Sequence, residues 1–202
     1  MIAKHIHCQP EHDQYGALAR YIADAGHDGE KCLANWCAGC STEDDYELAA
    51  LEVATVQALN TRSTKEKTYH LMVSFRPEDE ARLTPKTFKA IEERFAAALG
   101  FSEHQRHCGV HKNTNNIHLH IAYNMIHPEK LTRQAPYFDY QRLSETCRKL
   151  EQEYGLAVDN GFDKARDNRL SQKAATLEAK SPVVRQLCVG RPNRIRLATC
   201  RL

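Results

Sequence analysis

The 202-residue chain contains no apolar run that approaches the roughly 20 residues needed to cross a membrane. Its first seven residues lack the apolar stretch of a secretory signal peptide. Its eight cysteines lack the regular spacing of a disulfide framework, so we expect reduced thiols. No internal repeat or low-complexity segment is present. These absences argue against a membrane-spanning, a secreted disulfide-rich and a repeat protein, and they predict a cytoplasmic globular protein.

The chain also has little net charge, because 28 Lys and Arg nearly balance 26 Asp and Glu. The balance is uneven along the chain. Residues 163–202 carry ten basic and three acidic side chains, a net +7, whereas the other 162 residues carry 18 basic and 23 acidic ones, a net −5. A basic segment suits a polyanionic partner, although a solvated tail has the same composition. We therefore divide the chain into a body, 1–162, and a basic, partly helical C-terminal extension, 163–202.

Three of the eleven histidines lie in one stretch, which reads HKNTNNIHLH from residue 111 to residue 120. Side chains alternate between the two faces of a strand, so His118 and His120 would share a polar face, about 6.7 Å apart. Ile117, Leu119 and Ile121 would face the core. This spacing allows two imidazoles to bind one ion, with His111 completing the set. Most histidines in proteins bind no metal, but two histidines on one polar face fit a metal site as well as an ordinary surface position.

Residues 68–75 form the clearest strand by composition. Tyr69, Leu71, Val73 and Phe75 would make its apolar face, and His70, Met72 and Ser74 the opposite face. If this strand neighbours the one at 117–124, Ser74 and His70 share a surface with His118 and His120.

The remaining pattern predicts strands and helices that are mixed without regular βαβ alternation, which favours an α+β fold. Strands are predicted at 4–8 and 106–111. Helices are predicted from Asp13 to Gly26, from Thr42 to Leu59, from Thr84 to Gly100 and from Asp139 to Gly155, with Asp13 and Asp139 as N-caps. Residues 27–41 are predicted to be an irregular loop.

Two basic segments are candidates for contact with nucleic acid. The turn at 60–67 contains Arg62, Lys65 and Lys67, which could bind phosphates. The segment near 130–140 interleaves bases and aromatics, including Arg133 and Tyr137, which could stack on a single strand. A solvated turn and a plain lid over the sheet explain these two patterns equally well.

The order of three motifs resembles that of conjugative relaxases, the plasmid-mobilising, DNA-nicking tyrosine transesterases, and in particular the P-type TraI-like branch. The motifs are a tyrosine on the first helix (LARYI, 18–22), TYHLMVSF (68–75), and His-x-Asn-x-x-Asn-x-His-x-His-x-x-x-Asn (111–124). Flanking segments such as Asn60-Thr61-Arg62 and Ile126-His127-Pro128 agree as well. The resemblance covers about residues 1–162 and does not extend over 163–202.

The resemblance implies a histidine–hydrophobe–histidine endonuclease fold, with an antiparallel sheet of about five strands and helices packed on it. It implies that Tyr21 attacks a phosphodiester at an origin of transfer and forms a 5′-phosphotyrosine, with Ser74 positioning the DNA. His111, His118 and His120 would hold a divalent cation, Mg²⁺ or Mn²⁺, and His111 is in some accounts the base. The implied partners are single-stranded and hairpin origin DNA, relaxosome accessory DNA-binding proteins and a type IV secretion coupling protein. The protein would be bacterial and cytoplasmic, and would be transferred with the DNA.

One position departs from the family pattern. Members often carry an acid two residues after the first histidine, where this chain has Asn113. Either Glu66 or another distant acid orients the histidines, or neutral groups such as Asn113 and Asn124 do so. Relaxases usually continue into further domains, so we expect this chain to be a fragment.

Two other functions fit parts of the pattern. A rolling-circle replication initiator uses the same histidine pair, but its tyrosine typically follows the histidines. The tyrosines that do so in this chain are Tyr123, Tyr137, Tyr140 and Tyr154, whereas the flanking sequence supports Tyr21. A zinc-stabilised DNA-binding module without catalysis would need four ligands, from the histidines or from Cys32, Cys37 and Cys40 with His27 upstream.

Overall fold

A computed structural model describes residues 1–23, 31–112 and 116–159. Its centre is a five-stranded antiparallel sheet with the strand order β1-β3-β5-β4-β2. The strands are β1 (Ile2–Ile6), β2 (Cys32–Ala38), β3 (Thr68–Ser74), β4 (Arg106–His111) and β5 (His118–Asn124). The helices of this part of the chain are α1 (Tyr15–Ile22), α2 (Tyr46–Leu59), α3 (Pro85–Leu99) and α4 (Asp139–Tyr154), with short 3-10 turns at Pro10–His12 and Pro77–Arg82. The predicted α+β class is confirmed.

The main core lies between one face of the sheet and helices α3 and α4. The predicted alternation holds on the two central strands, whose core-facing side chains are fully or almost fully buried: Tyr69, Leu71, Val73, Leu119, Ile121 and Tyr123. Helix α3 begins where predicted, with the Thr84 hydroxyl accepting from the Thr87 N–H. It ends at Gly100, whose φ of +82° is the left-handed conformation that glycine adopts most readily.

Helices α1 and α2 pack on the other face of the sheet through smaller side chains. Tyr15, Ala19 and Ile22 of α1 are buried there with Ala49 and Val53 of α2. The strand residue beneath them is Ala122, which is fully buried. Small residues at this contact allow the backbone of α1 to lie close to the sheet.

The prediction of a loop at 27–41 is wrong for residues 32–38, which form the edge strand β2 and pair with β4. The signal was weak because an edge strand is only half covered. Leu33 of β2 is 58% exposed, for example, so the apolar residues do not alternate with burial. The first strand begins at Ile2 and ends at Ile6, two residues earlier at each end than predicted.

Neither of the predicted N-cap residues, Asp13 and Asp139, caps its helix. Helix α1 begins at Tyr15, and the Asp13 carboxylate accepts hydrogen bonds from the backbone N–H groups of Lys67 and Thr68 at the start of β3. Asp139 is the first residue of α4 rather than its cap, and its carboxylate accepts the Tyr69 hydroxyl. Helix α2 begins at Tyr46, because Asp45 caps it by accepting from the N–H groups of Glu47 and Leu48.

Met1–Asp159 form one compact unit. None of the helices described within this unit is both long and apolar enough to span a bilayer. The predicted C-terminal extension lies outside the described residues, as do His27 and Asn113.

Candidate active site

Strand register brings the predicted histidines and serine together on the face that α1 covers. His118 of β5 lies directly opposite His111 of β4 and directly opposite Ser74 of β3. His120 lies opposite Gly109 of β4 and Met72 of β3. Residues paired across antiparallel strands point to the same face. His111, His118 and Ser74 therefore form a row across three neighbouring strands, with His120 in the next row.

Gly109 lets the end of α1 lie directly on this row. A Cβ atom at Gly109 would lie 2.4 Å from the Ile22 carbonyl oxygen and 2.7 Å from the Ile22 Cγ2. No side chain fits there, so the contact depends on glycine. A glycine inside a strand often marks a close approach of another backbone. This was the feature of the sequence that could have indicated the contact with α1.

Tyr21 precedes Ile22 and extends over the histidines. Its ring centroid is 5.6 Å from that of His111 and 5.5 Å from that of His120, and both ring pairs are close to perpendicular. The side chain is 52% exposed. Its phenol therefore sits beside two imidazoles and remains accessible to a macromolecular substrate.

The hydrogen bond of His111 determines which tautomer its neutral ring adopts. Its Nε2 lies 2.7 Å from the backbone carbonyl oxygen of Ile22. A carbonyl only accepts, so Nε2 carries the hydrogen and the lone pair of the neutral ring is on Nδ1. An imidazole that donates one N–H to a carbonyl while its other nitrogen holds a lone pair is the usual arrangement of a metal ligand.

His120 contacts a histidine on the neighbouring strand β3. Its Nδ1 lies 3.1 Å from Nε2 of His70 on β3. Burial, followed by repulsion from the neighbouring histidines, lowers the pKa of His120 to about 3. Burial also lowers the pKa of His70 to about 4 and that of His118 below its usual range. These rings are therefore neutral near pH 7, and the neutral ring is the form that binds metals.

The donor chemistry of this cluster fits a divalent cation. The ring centroids of His111 and His120 are 4.8 Å apart, and those of His118 and His120 are 6.3 Å apart. With these side-chain conformations, no three His, Cys, Asp or Glu groups within 1–23, 31–112 and 116–159 are close enough together to hold an ion. Three imidazoles on neighbouring strand positions nevertheless supply the ligand type that Zn²⁺, Mn²⁺ and similar ions accept.

Two of the groups that the sequence suggested as supports for the histidines, Glu66 and Asn124, have other partners, and Asn113 lies outside the described residues. Glu66 forms an ion pair with Arg133. The Asn124 side chain is buried, donates to Gln105 and accepts from the Ile126 N–H. His111 and His120 instead have the Ile22 carbonyl and His70, respectively, within hydrogen-bond distance. The sequence had placed His70 on this face without giving it a role.

The five DNA-binding candidates fall into two groups. Arg62 and Lys65 are exposed on the turn after α2, and Tyr137 is 78% exposed before α4. The Lys67 ammonium donates to the carbonyls of Gln57 and Asn60 within the chain. The Arg133 guanidinium donates to the Glu66 backbone and carboxylate. Lys67 and Arg133 therefore have internal partners that a phosphate would have to replace.

The cysteines proposed for a zinc site behave as apolar residues. Cys37 and Cys40 are buried in the cluster beneath α1 and α2, and burial raises the pKa of each thiol to about 12. A thiol must lose its proton to bind zinc, so this environment does not favour a metal.

Comparison with known proteins gives a consistent picture. The model of the MobA/VirD2-like relaxase nuclease domain matches residues 21–156. Two proteins from Escherichia coli, each named Protein TraI, are 42% and 41% identical to the chain over 164 and 161 residues, which is 79% of this chain in both cases. These matches cover 21% and 22% of the two TraI proteins, so the chain spans about a fifth of their length.

Two solved structures have a similar fold at 12% identity and a TM-score of 0.53. One is the MobM relaxase domain bound to pMV158 oriT DNA, in a Mn-bound crystal structure; the match covers 79% of this chain and 89% of MobM. The other is described as the molecular basis of vancomycin resistance transfer in Staphylococcus aureus, with 78% and 95% covered.

Proposed function

The chain belongs to the MobA/VirD2-like relaxase nuclease family, and from this premise we propose that it nicks and rejoins one DNA strand at a plasmid origin of transfer through Tyr21. The observation that carries the proposal is the position of the Tyr21 ring, which contacts His111 and His120 while remaining half exposed. A phenol is a weak nucleophile and needs a base or a cation beside it.

In the proposed step, the Tyr21 oxygen attacks the scissile phosphorus as the phenol loses its proton. The bond from phosphorus to the 3′-oxygen breaks, and that oxygen leaves as a 3′-hydroxyl after taking up a proton. The 5′-phosphate remains on Tyr21. Because one phosphodiester replaces another, the reverse attack by a 3′-hydroxyl rejoins the strand.

His111, His118 and His120 are the residues that would hold a divalent cation, which acts as a Lewis acid on a phosphoryl oxygen. His111 has one further constraint. Because its Nε2–H is donated to the Ile22 carbonyl, only the lone pair of Nδ1 can bind an ion or accept a proton. In a given step, Nδ1 therefore either binds the ion or takes the tyrosyl proton. A Mn²⁺ titration of His111→Ala separates the two roles: a ligand role predicts weakened binding, and a base role predicts unchanged binding with slower nicking.

Ser74 lies opposite His118 on the neighbouring strand, so its hydroxyl is on the side where a phosphate beside the histidines would lie. We propose that it donates a hydrogen bond to the DNA backbone.

Arg62, Lys65 and Tyr137 are exposed and are proposed to contact the DNA outside the cleavage site. We propose that the protein acts in the cytoplasm with accessory DNA-binding proteins and a secretion coupling protein.

The decisive experiment uses labelled single-stranded origin DNA with Mn²⁺ and detects the covalent adduct on a denaturing gel. We expect the adduct in the wild type and its complete loss in Tyr21→Phe. Tyr140→Phe is the matched control, because Tyr140 is 51% exposed and the variant also loses one phenol but keeps an aromatic ring. An adduct that persists in Tyr21→Phe would refute the assignment.

The same control addresses the rolling-circle alternative, in which the nucleophile follows the histidines. Tyr123 is fully buried on the core face, so it cannot attack DNA. Tyr137 and Tyr140 are exposed but belong to the start of α4 and the segment before it, and α4 packs against the opposite face of the sheet. Loss of the adduct in Tyr140→Phe, with retention in Tyr21→Phe, would favour that alternative.

A further inference from the structure

Resting on the proposed function, we propose that His70 is a positioning residue, which fixes the orientation of His120 through an imidazole–imidazole hydrogen bond. The Nε2 atom of His70 lies 3.1 Å from Nδ1 of His120, and the two ring centroids are 5.4 Å apart at an interplanar angle of 34°. This distance is within the range of a direct hydrogen bond.

Strand register explains why these two rings meet. His70 of β3 is paired with Ala122 of β5, and Ala122 lies on the same face as His120, two residues away. Diagonal neighbours on adjacent strands are close enough for long or aromatic side chains to touch. Since Ala122 carries only a methyl group, the His70 ring can lean toward His120.

The hydrogen bond determines the tautomers of both rings. If His120 binds an ion through Nε2, its Nδ1 carries the hydrogen and donates it to Nε2 of His70. His70 must then carry its own hydrogen on Nδ1. A metal ligand usually donates its second N–H to a carboxylate, a carbonyl or water, and this partner fixes the ring and strengthens the ligand. In this cluster, a neutral imidazole serves His120 and the Ile22 carbonyl serves His111.

The test is a calorimetric titration of the whole chain with Mn²⁺ in the absence of DNA. His70→Ala removes the acceptor, and we expect Mn²⁺ affinity to fall about 10- to 100-fold. His70→Gln places an amide oxygen near the former Nε2 position and should restore affinity to within about threefold of the wild type. His70→Asn is the matched variant: its amide is one methylene shorter, does not reach His120, and should bind as weakly as His70→Ala.

The electron paramagnetic resonance spectrum of bound Mn²⁺ gives a second readout, because a freely rotating His120 ring changes the coordination. His12→Ala, an exposed histidine on the turn before α1, is expected to leave both readouts unchanged. Wild-type Mn²⁺ affinity in His70→Ala would overturn the inference. So would equal losses in His70→Gln and His70→Asn, since only general packing would then be involved.

The two proposals can fail separately. If Mn²⁺ binding depends on His70 as described but Tyr21 forms no adduct, the nicking function fails and the positioning role stands. If the adduct forms but His70→Ala binds Mn²⁺ normally, the reverse holds.

Discussion

The face of the sheet beneath α3 and α4 carries large apolar side chains, whereas the face beneath α1 and α2 carries histidines, a serine, a glycine and alanines. On the first face, side chains such as Leu71, Leu119 and Ile121 are fully buried. Each such side chain contributes about 1.5–3 kcal/mol on burial. The second face buries neutral imidazoles, which lose hydration and gain less. The difference indicates that stability comes mainly from one face, which leaves the other free to hold reactive groups.

The largest effect is expected from a single methyl group added to the site face. Gly109→Ala would place its Cβ within 2.4 Å of the Ile22 carbonyl oxygen, so the end of α1 and Tyr21 must shift. Misplacing a reacting group by about 1 Å costs on the order of 100-fold in rate, and we expect nicking to fall at least that far. The measurement is the rate of adduct formation, with a thermal unfolding curve to show that the fold remains.

Gly16→Ala is the matched control, because a Cβ there meets only the end of Arg20 at 3.8 Å. Alanine stabilises a helix interior by roughly 0.5–1 kcal/mol relative to glycine, so this variant should nick normally and melt slightly later. Near-normal nicking by Gly109→Ala would show that α1 does not depend on this contact.

A second prediction compares adjacent residues of β5 that face opposite sides. Leu119→Ala should lower the free energy of unfolding by about 2–5 kcal/mol, since Leu119 is fully buried in the main core. His118→Ala should cost less than about 1 kcal/mol, because its side chain is only partly buried. It should instead abolish nicking and weaken Mn²⁺ binding. Urea unfolding and Mn²⁺ titration of both variants test the contrast; equal losses of stability would contradict it.

How far the sequence could predict this arrangement depends on which face is considered. Alternation of apolar residues predicted the core faces of β3 and β5. It also placed Ser74 on the polar face of β3, which meets the histidines because β3 and β5 are neighbours. It could not predict the β2 edge strand, because half-covered strands do not alternate clearly. The close approach at Gly109 and the contact from His70 to His120 depend on strand order and register, which no local pattern encodes.

A third prediction uses the histidine buried beneath α1. His107 is fully buried, with its Nδ1 2.9 Å from the Tyr15 hydroxyl and its Nε2 3.1 Å from the Tyr46 carbonyl oxygen. Burial lowers its pKa from 6.5 to about 4. Between these values the unfolded chain binds the proton and the native chain does not, so acid favours unfolding. Stability should fall by up to about 1.4 kcal/mol per pH unit for this group as the pH drops through that window.

Replacing the ionisable ring tests this sign. His107→Gln should flatten the pH dependence of the free energy of unfolding between pH 6.5 and pH 4. An unchanged slope in His107→Gln would mean that other groups account for acid sensitivity.

The smallest expected effect concerns DNA contacts beside the site. Arg62→Ala and Lys65→Ala should each weaken binding of single-stranded origin DNA several-fold and reduce the slope of log affinity against log salt by about 0.7. Lys86→Ala, an exposed base on α3, should change neither quantity. Lys67→Ala should lower stability rather than the salt slope, because its ammonium binds the carbonyls of Gln57 and Asn60. Fluorescence anisotropy at several salt concentrations measures the slopes. If Lys86→Ala reduced the affinity and the salt slope as much as Arg62→Ala, DNA would contact both faces of the sheet. The difference between the stabilising face and the site face would then not extend to substrate binding.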